Sequence, residues 1–311
     1  VNINFNTMRM HSIRKERTPE RQEKECKKMP AKDFSESIPS KKKSPRSYPR
    51  KGFTLIEVLI VVTIISSLAA IATVGARKAI SSAKAVIEVN AARQLVAIYV
   101  GNAADHNGRL MAGLDPDSTA VDGQGNAWPG FVSKRYPARL SESLSHNFSG
   151  TVCVNKAEDW ADNFYKATVH PSFGINATFV GGNFREAEPD PERDAEQYGK
   201  FCIERLSDAD SMAEQVVFIS ARSYSGYGDP IAGNFYVRSP YLKGRRWASS
   251  FDEKQASIKW GNVDHRHNGK AVGAFLDGSA RLLNETQVQD MRIWAKGARE
   301  ANDPQWSITD G

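Results

Sequence analysis

Glu57 is the only charged side chain between Phe53 and Ala76, a run that reads FTLIEVLIVVTIISSLAAIATVGA. A carboxylate inside so apolar a segment costs about 2.5–3.5 kcal/mol on membrane-insertion scales, so such acids usually have a partner and a task. The chemistry open to it is charge pairing with an ammonium at the same depth, or snorkelling to the interface. Further along, Asp264, His265, His267 and Asp277 are the residues whose types suit a metal ion. His265 and His267 share a face of an extended chain, but spacing fixes no third ligand. Cys153 and Cys202 are the cysteines beyond residue 52. An even pair in an oxidising compartment reads as a disulfide, with two separately buried thiols as the alternative. No G-x-S-x-G, H-E-x-x-H, P-loop or metal-spaced Cys/His cluster occurs, so the expectation is a protein without catalysis and without a cofactor.

The elements that must hold these residues begin with the apolar run itself. A helix from Phe53 to Ala76 extends on the order of 36 Å, enough for a hydrocarbon layer of roughly 30 Å. It is apolar on every side, which a buried helix of a water-soluble domain rarely is. Lys41, Lys42, Lys43, Arg46, Arg50 and Lys51 precede it, which keeps the N-terminus cytoplasmic and places everything after Ala76 outside. The formal charge of +6 is therefore misleading: residues 1–52 carry +9 and the remainder −3. The basicity lies in a Ser/Pro/Lys-rich stretch too polar to build a core, so no nucleic-acid partner is expected. Val1 is unusual as a first residue and suggests an alternative start or an internal one at Met29.

Beyond the span, Ile80, Ala83, Ile87, Ala91, Leu95 and Ile98 recur at helical steps, with Lys84, Glu88 and Arg93 between them. No proline interrupts residues 53–107, and Asn107-Gly108 is a helix stop. The expectation is one long helix, 53–76 in lipid and 77–108 amphipathic, packed on a body formed by 109–311. In that body, strands are expected at 151–155, 173–180, 215–220, 234–238, 271–276 and 279–283. Asp277-Gly278 predicts a hairpin turn with positive φ at both central residues. Residues 183–200 read as an exposed acidic loop, and residues 285–297 as a final helix presenting Val288, Met291 and Trp294 on one side. The fold class is α+β, with the helix lying on an antiparallel sheet.

The sequence Lys51-Gly52-Phe53-Thr54-Leu55-Ile56-Glu57-Val58-Leu59-Ile60 resembles the cleavage and methylation signal of type IV prepilins and type II secretion pseudopilins. The resemblance implies a pilin-like fold, removal of residues 1–52 by a prepilin peptidase after Gly52, and N-methylation of Phe53. It also implies that Glu57 pairs with the amine of a neighbouring subunit, that other pilin or pseudopilin subunits are partners, and that a platform protein and a cytoplasmic ATPase drive assembly. The expected location is the bacterial inner membrane, single-pass, with a periplasmic body. Small residues Ser66, Ser67, Ala69, Ala70, Ala72, Gly75 and Ala76 suit close helix packing as well as ordinary span composition. Many family members carry a proline near the end of the membrane half; here Thr73-Val74-Gly75-Ala76 stands instead. Ala70-Ile71-Ala72 looks like a secretory signal-peptidase site, a rival that would release the body.

His267, followed at Asp277-Gly278, fits an H-x9-D-G pattern near the C-terminus of many bacterial prepilin-like proteins. Its leading reading is structural, with the metal set Asp264, His265, His267 and Asp277 as the alternative. Phe173-Gly174-Ile175-Asn176 resembles a short segment of the same group. The functional expectation is a subunit of a type IV pilus or type II secretion pseudopilus. The alternative is a membrane-anchored binding protein that uses the signal for display, with Trp128, Tyr224, Tyr227 and Trp247 as surface aromatics.

Overall fold

The computed structural model describes residues 52–156, 162–182, 201–224 and 229–308. The basic leader up to Lys51, the acidic segment 183–200 and Tyr227 lie outside the described residues. Backbone contacts divide the chain into two compact units, Val1–Val58 and Leu59–Gly311.

Helix α1 runs Leu55–Asp105. Its apolar stretch is long enough to cross a bilayer, and none of the most apolar window is buried within the protein. Ile60, Val61, Val62, Ile64, Ile65, Leu68, Ile71 and Val74 are all exposed. Apolar exposure on every side is what lipid, and not water, rewards. The helix ends where the backbone turns left-handed: Asn107 has φ 55° and Gly108 φ 77°, and the Gly108 N–H returns to the Ala103 carbonyl at 2.7 Å.

The buried stripe of α1 is Ala85, Glu88, Ala91, Ala92, Leu95, Val96, Tyr99 and Ala103. It is rotated from the stripe expected from the larger side chains: Ile80, Ala83 and Ile87 are exposed and Ile98 half-exposed. Four alanines line the inward face beside Leu95, Val96 and Tyr99, with Glu88 among them.

The sheet contains β1 (Phe173–Asn176), β2 (Val216–Ser220), β5 (Tyr236–Val237), β6 (Ala271–Phe275) and β7 (Ala280–Leu283), in the order β5-β1-β2-β6-β7. The β1–β2, β2–β6 and β6–β7 pairs are antiparallel, but β5 lies parallel to β1, so the sheet is mixed. A separate pair, β3 (Arg222–Tyr224) and β4 (Pro230–Ala232), is antiparallel. Gly174 is required where β1 meets β5, since a Cβ there would lie 2.7 Å from the Tyr236 carbonyl carbon.

β1, β2 and β6 are buried on both faces. On one side α1 packs with Val217, Phe218, Val272 and Ala274; on the other, Val216, Ile219, Ala271 and Phe275 join Trp247, Trp260, Val288, Met291 and Trp294. A register shift between Val216 and Phe218 puts Val217 and Phe218 on the same side. Short helices complete the body: α2 (Phe131–Lys134), α3 (Tyr136–Arg139), α4 (Phe164–Val169), α5 (Glu285–Gln289) and α6 (Lys296–Glu300).

Two expected elements differ. Residues 151–155 form turns instead of a strand, because Gly150 at φ 76° reverses the chain and the Phe148 carbonyl accepts from the N–H groups of Val152 and Cys153. The expected helix 285–297 is broken at Asp290, whose extended backbone and side-chain bond to the Arg292 N–H at 3.0 Å start a 3-10 turn, Met291–Ile293. Val288, Met291 and Trp294 are nevertheless fully buried together.

Candidate functional site: the leader junction and a buried carboxylate

Gly52, Phe53 and Thr54 precede α1 in non-helical backbone, and Phe53 is 83% exposed. The peptide bond between Gly52 and Phe53 thus lies outside the helix and is exposed. Thr54 and Glu57 cap each other. Glu57 Oε2 accepts from the Thr54 N–H and hydroxyl, each at 2.8 Å, and the Glu57 N–H donates to Thr54 Oγ1 at 3.3 Å. This reciprocal arrangement satisfies orphan donors of the first helical turn and holds the carboxylate at the helix start.

The second site lies where α1 meets the sheet. Glu88 is 1% exposed, and both its oxygens are occupied. Oε1 accepts from Ser220 Oγ at 2.7 Å and Arg266 Nε at 3.1 Å, with Arg266 Nη2 at 3.0 Å. Oε2 accepts from His267 Nε2 at 2.8 Å. Burial alone would raise the Glu88 pKa, but the Arg266 charge and the bonds from His267 and Ser220 outweigh it and hold the carboxyl below its usual range. Ser220 in turn accepts from the Val272 N–H at 2.9 Å, joining β2 to β6. Arg266 also donates to the Ser172 carbonyl at 2.6 Å and pairs with Asp264 at 3.3 Å.

A tight turn presents His267. Asn268 at φ 52° and Gly269 at φ 76° occupy its centre, and His267 and Lys270 exchange backbone bonds at 3.1 Å. The turn with two positive central φ angles is therefore this one. At Asp277-Gly278 only Gly278 is left-handed, at φ 87°; the Gly278 N–H donates to the Phe275 carbonyl and the Ser279 N–H to Asp277 Oδ1. His267 and Asp277 sit at opposite ends of β6: one ties the sheet to α1, the other shapes the β6–β7 turn.

The metal set is not brought together. Asp264 faces Arg266, His267 faces Glu88, and His265 packs between Phe251 and Trp260 at ring distances of 4.6 and 5.4 Å. Burial pushes the His265 pKa down to about 4. Among the described residues no group of three or more His, Cys, Asp or Glu is arranged to hold a metal. The expected Cys153–Cys202 bridge is also corrected. Cys153 is a free thiol buried in the α1 core, whereas Cys202 lines a cavity with Lys296 and Trp306 beside the other core. Trp128 and Trp247 are buried rather than surface aromatics, and Tyr224 donates its hydroxyl to the Glu253 carbonyl at 2.7 Å.

Sequence reasoning missed Glu88, Ser220 and Arg266. The signal was present: Ala85, Ala92, Leu95, Tyr99 and Ala103 continue one helical stripe on which Glu88 is the charged member. The segment Phe173-Gly174-Ile175-Asn176 acquires a role too. Asn176 Nδ2 donates to the carbonyls of Val216 and Trp294, both at 3.1 Å, pinning the C-terminal turns to the sheet.

No curated protein and no solved structure matches the chain. The family model of the prokaryotic N-terminal methylation motif matches residues 48–73, so the chain carries a prepilin-type signal on a helix fit to anchor it in a membrane by a single pass.

Proposed function

We propose that the chain is a prepilin-like subunit assembled into a type IV pilus or a type II secretion pseudopilus. A prepilin peptidase removes residues 1–52, Phe53 becomes the N-methylated first residue, and the span holds the protein in the bacterial inner membrane with its body on the periplasmic side. A platform protein and a cytoplasmic ATPase then drive its insertion among other pilin or pseudopilin subunits. The chain itself performs no catalytic step. One observation carries this reading: the methylation motif lies on the apolar span 53–76, whose single acid, Glu57, stands fifth from the proposed new N-terminus.

The mechanism follows from charge. Cleavage creates an α-ammonium on Phe53 at the depth where Glu57 of an adjacent subunit lies. Pairing them removes two unfavourable charges from a low-dielectric setting and fixes the stagger between subunits. The reading is tested by expressing Glu57→Ala and Glu57→Asp with the assembly machinery, checking leader removal, and measuring the fraction in sheared filaments. Glu57→Ala should be cut and inserted but excluded from filaments, with Glu57→Asp intermediate. Normal assembly of the alanine variant would overturn the pairing. Absence of the processed wild-type chain from the filaments would favour the second reading, a displayed and unpolymerised binding protein, which the lack of proline in residues 53–107 supports.

A further inference from the structure

We propose that the groove between α1 and the outer edge of β7 binds an extended polypeptide segment whose inward residues read acid, aliphatic, acid. β7 ends the strand order, so one of its edges has no neighbouring strand among the described residues. The phase of the ladder fixes which groups that edge offers. The Val272 N–H donates to Ser220 Oγ at 2.9 Å, toward β2, so Ala271 and Gly273 direct their N–H and carbonyl groups at β7. Their partners there are Leu283 and Arg281, whereas Leu282, opposite Val272, turns its N–H and carbonyl outward. An outward donor and acceptor on a sheet edge are what a guest strand pairs with.

The groove beside this edge encloses about 420 Å³ and is lined by Val86, Val89, Arg93, Lys270 and Leu282, among others. Val86 and Leu282 are exposed. The two cations stand at opposite ends of β7. Arg93 donates to the carbonyl of Ala280, the first residue of the strand, at 3.3 Å, and Lys270 precedes Ala271, which pairs with Leu283, the last. Neither cation is ion-paired among the described residues, and the acceptors of Arg93 are neutral, the Ala280 carbonyl and Asn90 Oδ1. Acids on the adjoining segments are engaged elsewhere: Glu88 with Ser220, Arg266 and His267, Asp277 with the Ser279 N–H, and Glu285 with the Phe251 N–H. The ends of β7 lie roughly 10–14 Å apart, which is the reach from position i to i+4 of a guest strand. The guest side chain at i+2 then falls beside Val86, Val89 and Leu282. A helix spends its backbone groups internally, so the edge selects an extended segment and the two cations select its acids. The site lies on the body and is independent of the leader signal and of filament assembly.

The experiment titrates a fluorescein-labelled peptide, Thr-Glu-Thr-Val-Thr-Glu-Thr, against the full chain in micelles of a zwitterionic detergent and reads anisotropy. Its palindromic order serves either strand direction. Binding should be saturable and should weaken as salt rises. Saturating peptide should slow amide hydrogen exchange in residues 280–284, where the Leu282 N–H gains a partner. Lys270→Gln and Arg93→Gln, both at exposed positions, should each weaken binding by about fivefold. Lys254→Gln, which does not line the groove, should bind as wild type. Near-UV circular dichroism checks that each variant keeps its fold. Absence of saturable binding, equal binding of the peptide with lysine in place of both glutamates, or unchanged exchange at 280–284 would each overturn the proposal. Unaltered affinity in the folded Lys270→Gln variant would overturn it too. Sedimentation of the chain without peptide supplies a further arm: self-association abolished by Lys270→Gln would reassign the edge to a second copy and overturn the acidic partner segment.

Discussion

Glu88 and His267, 179 positions apart in the chain, meet at 2.8 Å in the buried seam between α1 and the sheet. The contact gives the H-x9-D-G histidine a physical role. It closes a hydrogen-bonded pocket around a carboxylate that the helix could not otherwise bury, because an ionised acid there is tolerated only when paired and fully bonded.

Removing the carboxylate should therefore cost more than removing one donor. Glu88→Ala leaves Arg266 with Asp264 as its remaining counter-charge and removes the acceptor of Ser220 and His267, and should lower the unfolding free energy by about 3–5 kcal/mol. His267→Ala leaves Arg266 and Ser220 in place and should cost about 1–3 kcal/mol. Urea denaturation of the detergent-solubilised chain measures both, and the double variant should fall short of their sum. Additive losses would mean that the two residues do not act together.

Acid should weaken the body in two stages of the same sign. His265 is neutral in the folded state with its pKa depressed to about 4 by burial. The unfolded chain takes up a proton near pH 6.5, so stability should fall as pH drops from there toward 4, by on the order of 2–3 kcal/mol. His170, also lowered chiefly by burial, adds in the same direction. Glu88, held below its usual range, contributes stability at neutral pH that is lost as pH falls through its folded value. Midpoints of denaturation between pH 7 and 4 should shift steadily downward, and His265→Phe should flatten the upper part of the curve. An unchanged slope in that variant would remove His265 from the effect.

Mass spectrometry of the membrane-bound protein should find N-methyl-Phe53 as the first residue. The Gly52–Phe53 bond lies in exposed, non-helical backbone, whereas Ala72-Thr73 lies within α1. A mature N-terminus at Thr73 would show that a signal peptidase, and not a prepilin peptidase, handles the chain.

The mature protein should yield two alkylated cysteines when unfolded without reductant, since no bond joins Cys153 to Cys202. In the folded protein Cys153 should react slowly at pH 8, because burial pushes its thiol up to about 11. A single disulfide-linked peptide pair would contradict the arrangement.

Gly174→Ala should destabilise the chain by about 1–3 kcal/mol through overpacking at the β1–β5 pair, where the added carbon meets Tyr236 backbone that has no room to give. Gly244→Ala meets open space, though its φ of 116° is itself unfavourable to alanine. Comparing the two separates crowding from backbone strain.

The helix, its stop and most strands were legible because each rests on local pattern: an unbroken apolar run, Asn107-Gly108, and short β-branched segments. Which side of α1 faces inward was not legible from apolar size. Ile80 and Ile87 attract the eye, yet Ala85, Ala91, Ala92 and Ala103 occupy the seam beside Leu95, Val96 and Tyr99. The Glu88 site joins residues from α1, β2 and the turn before β6, a pairing that depends on tertiary register and leaves only a faint trace in sequence. The Cys153–Cys202 arrangement was not legible for a related reason: an even count says nothing about whether the fold brings two thiols together.

The attachment of α1 has a mechanical consequence. Ser220 ends β2, Arg266 and His267 lead into β6, and these two strands are interior to the sheet order. Tension applied along the helix would enter the body through Glu88 into strands flanked on both sides, where several backbone bonds must shear together. An edge strand could peel one bond at a time. The body is thus gripped by its middle, a geometry suited to a protein whose anchor is pulled while its bulk meets resistance.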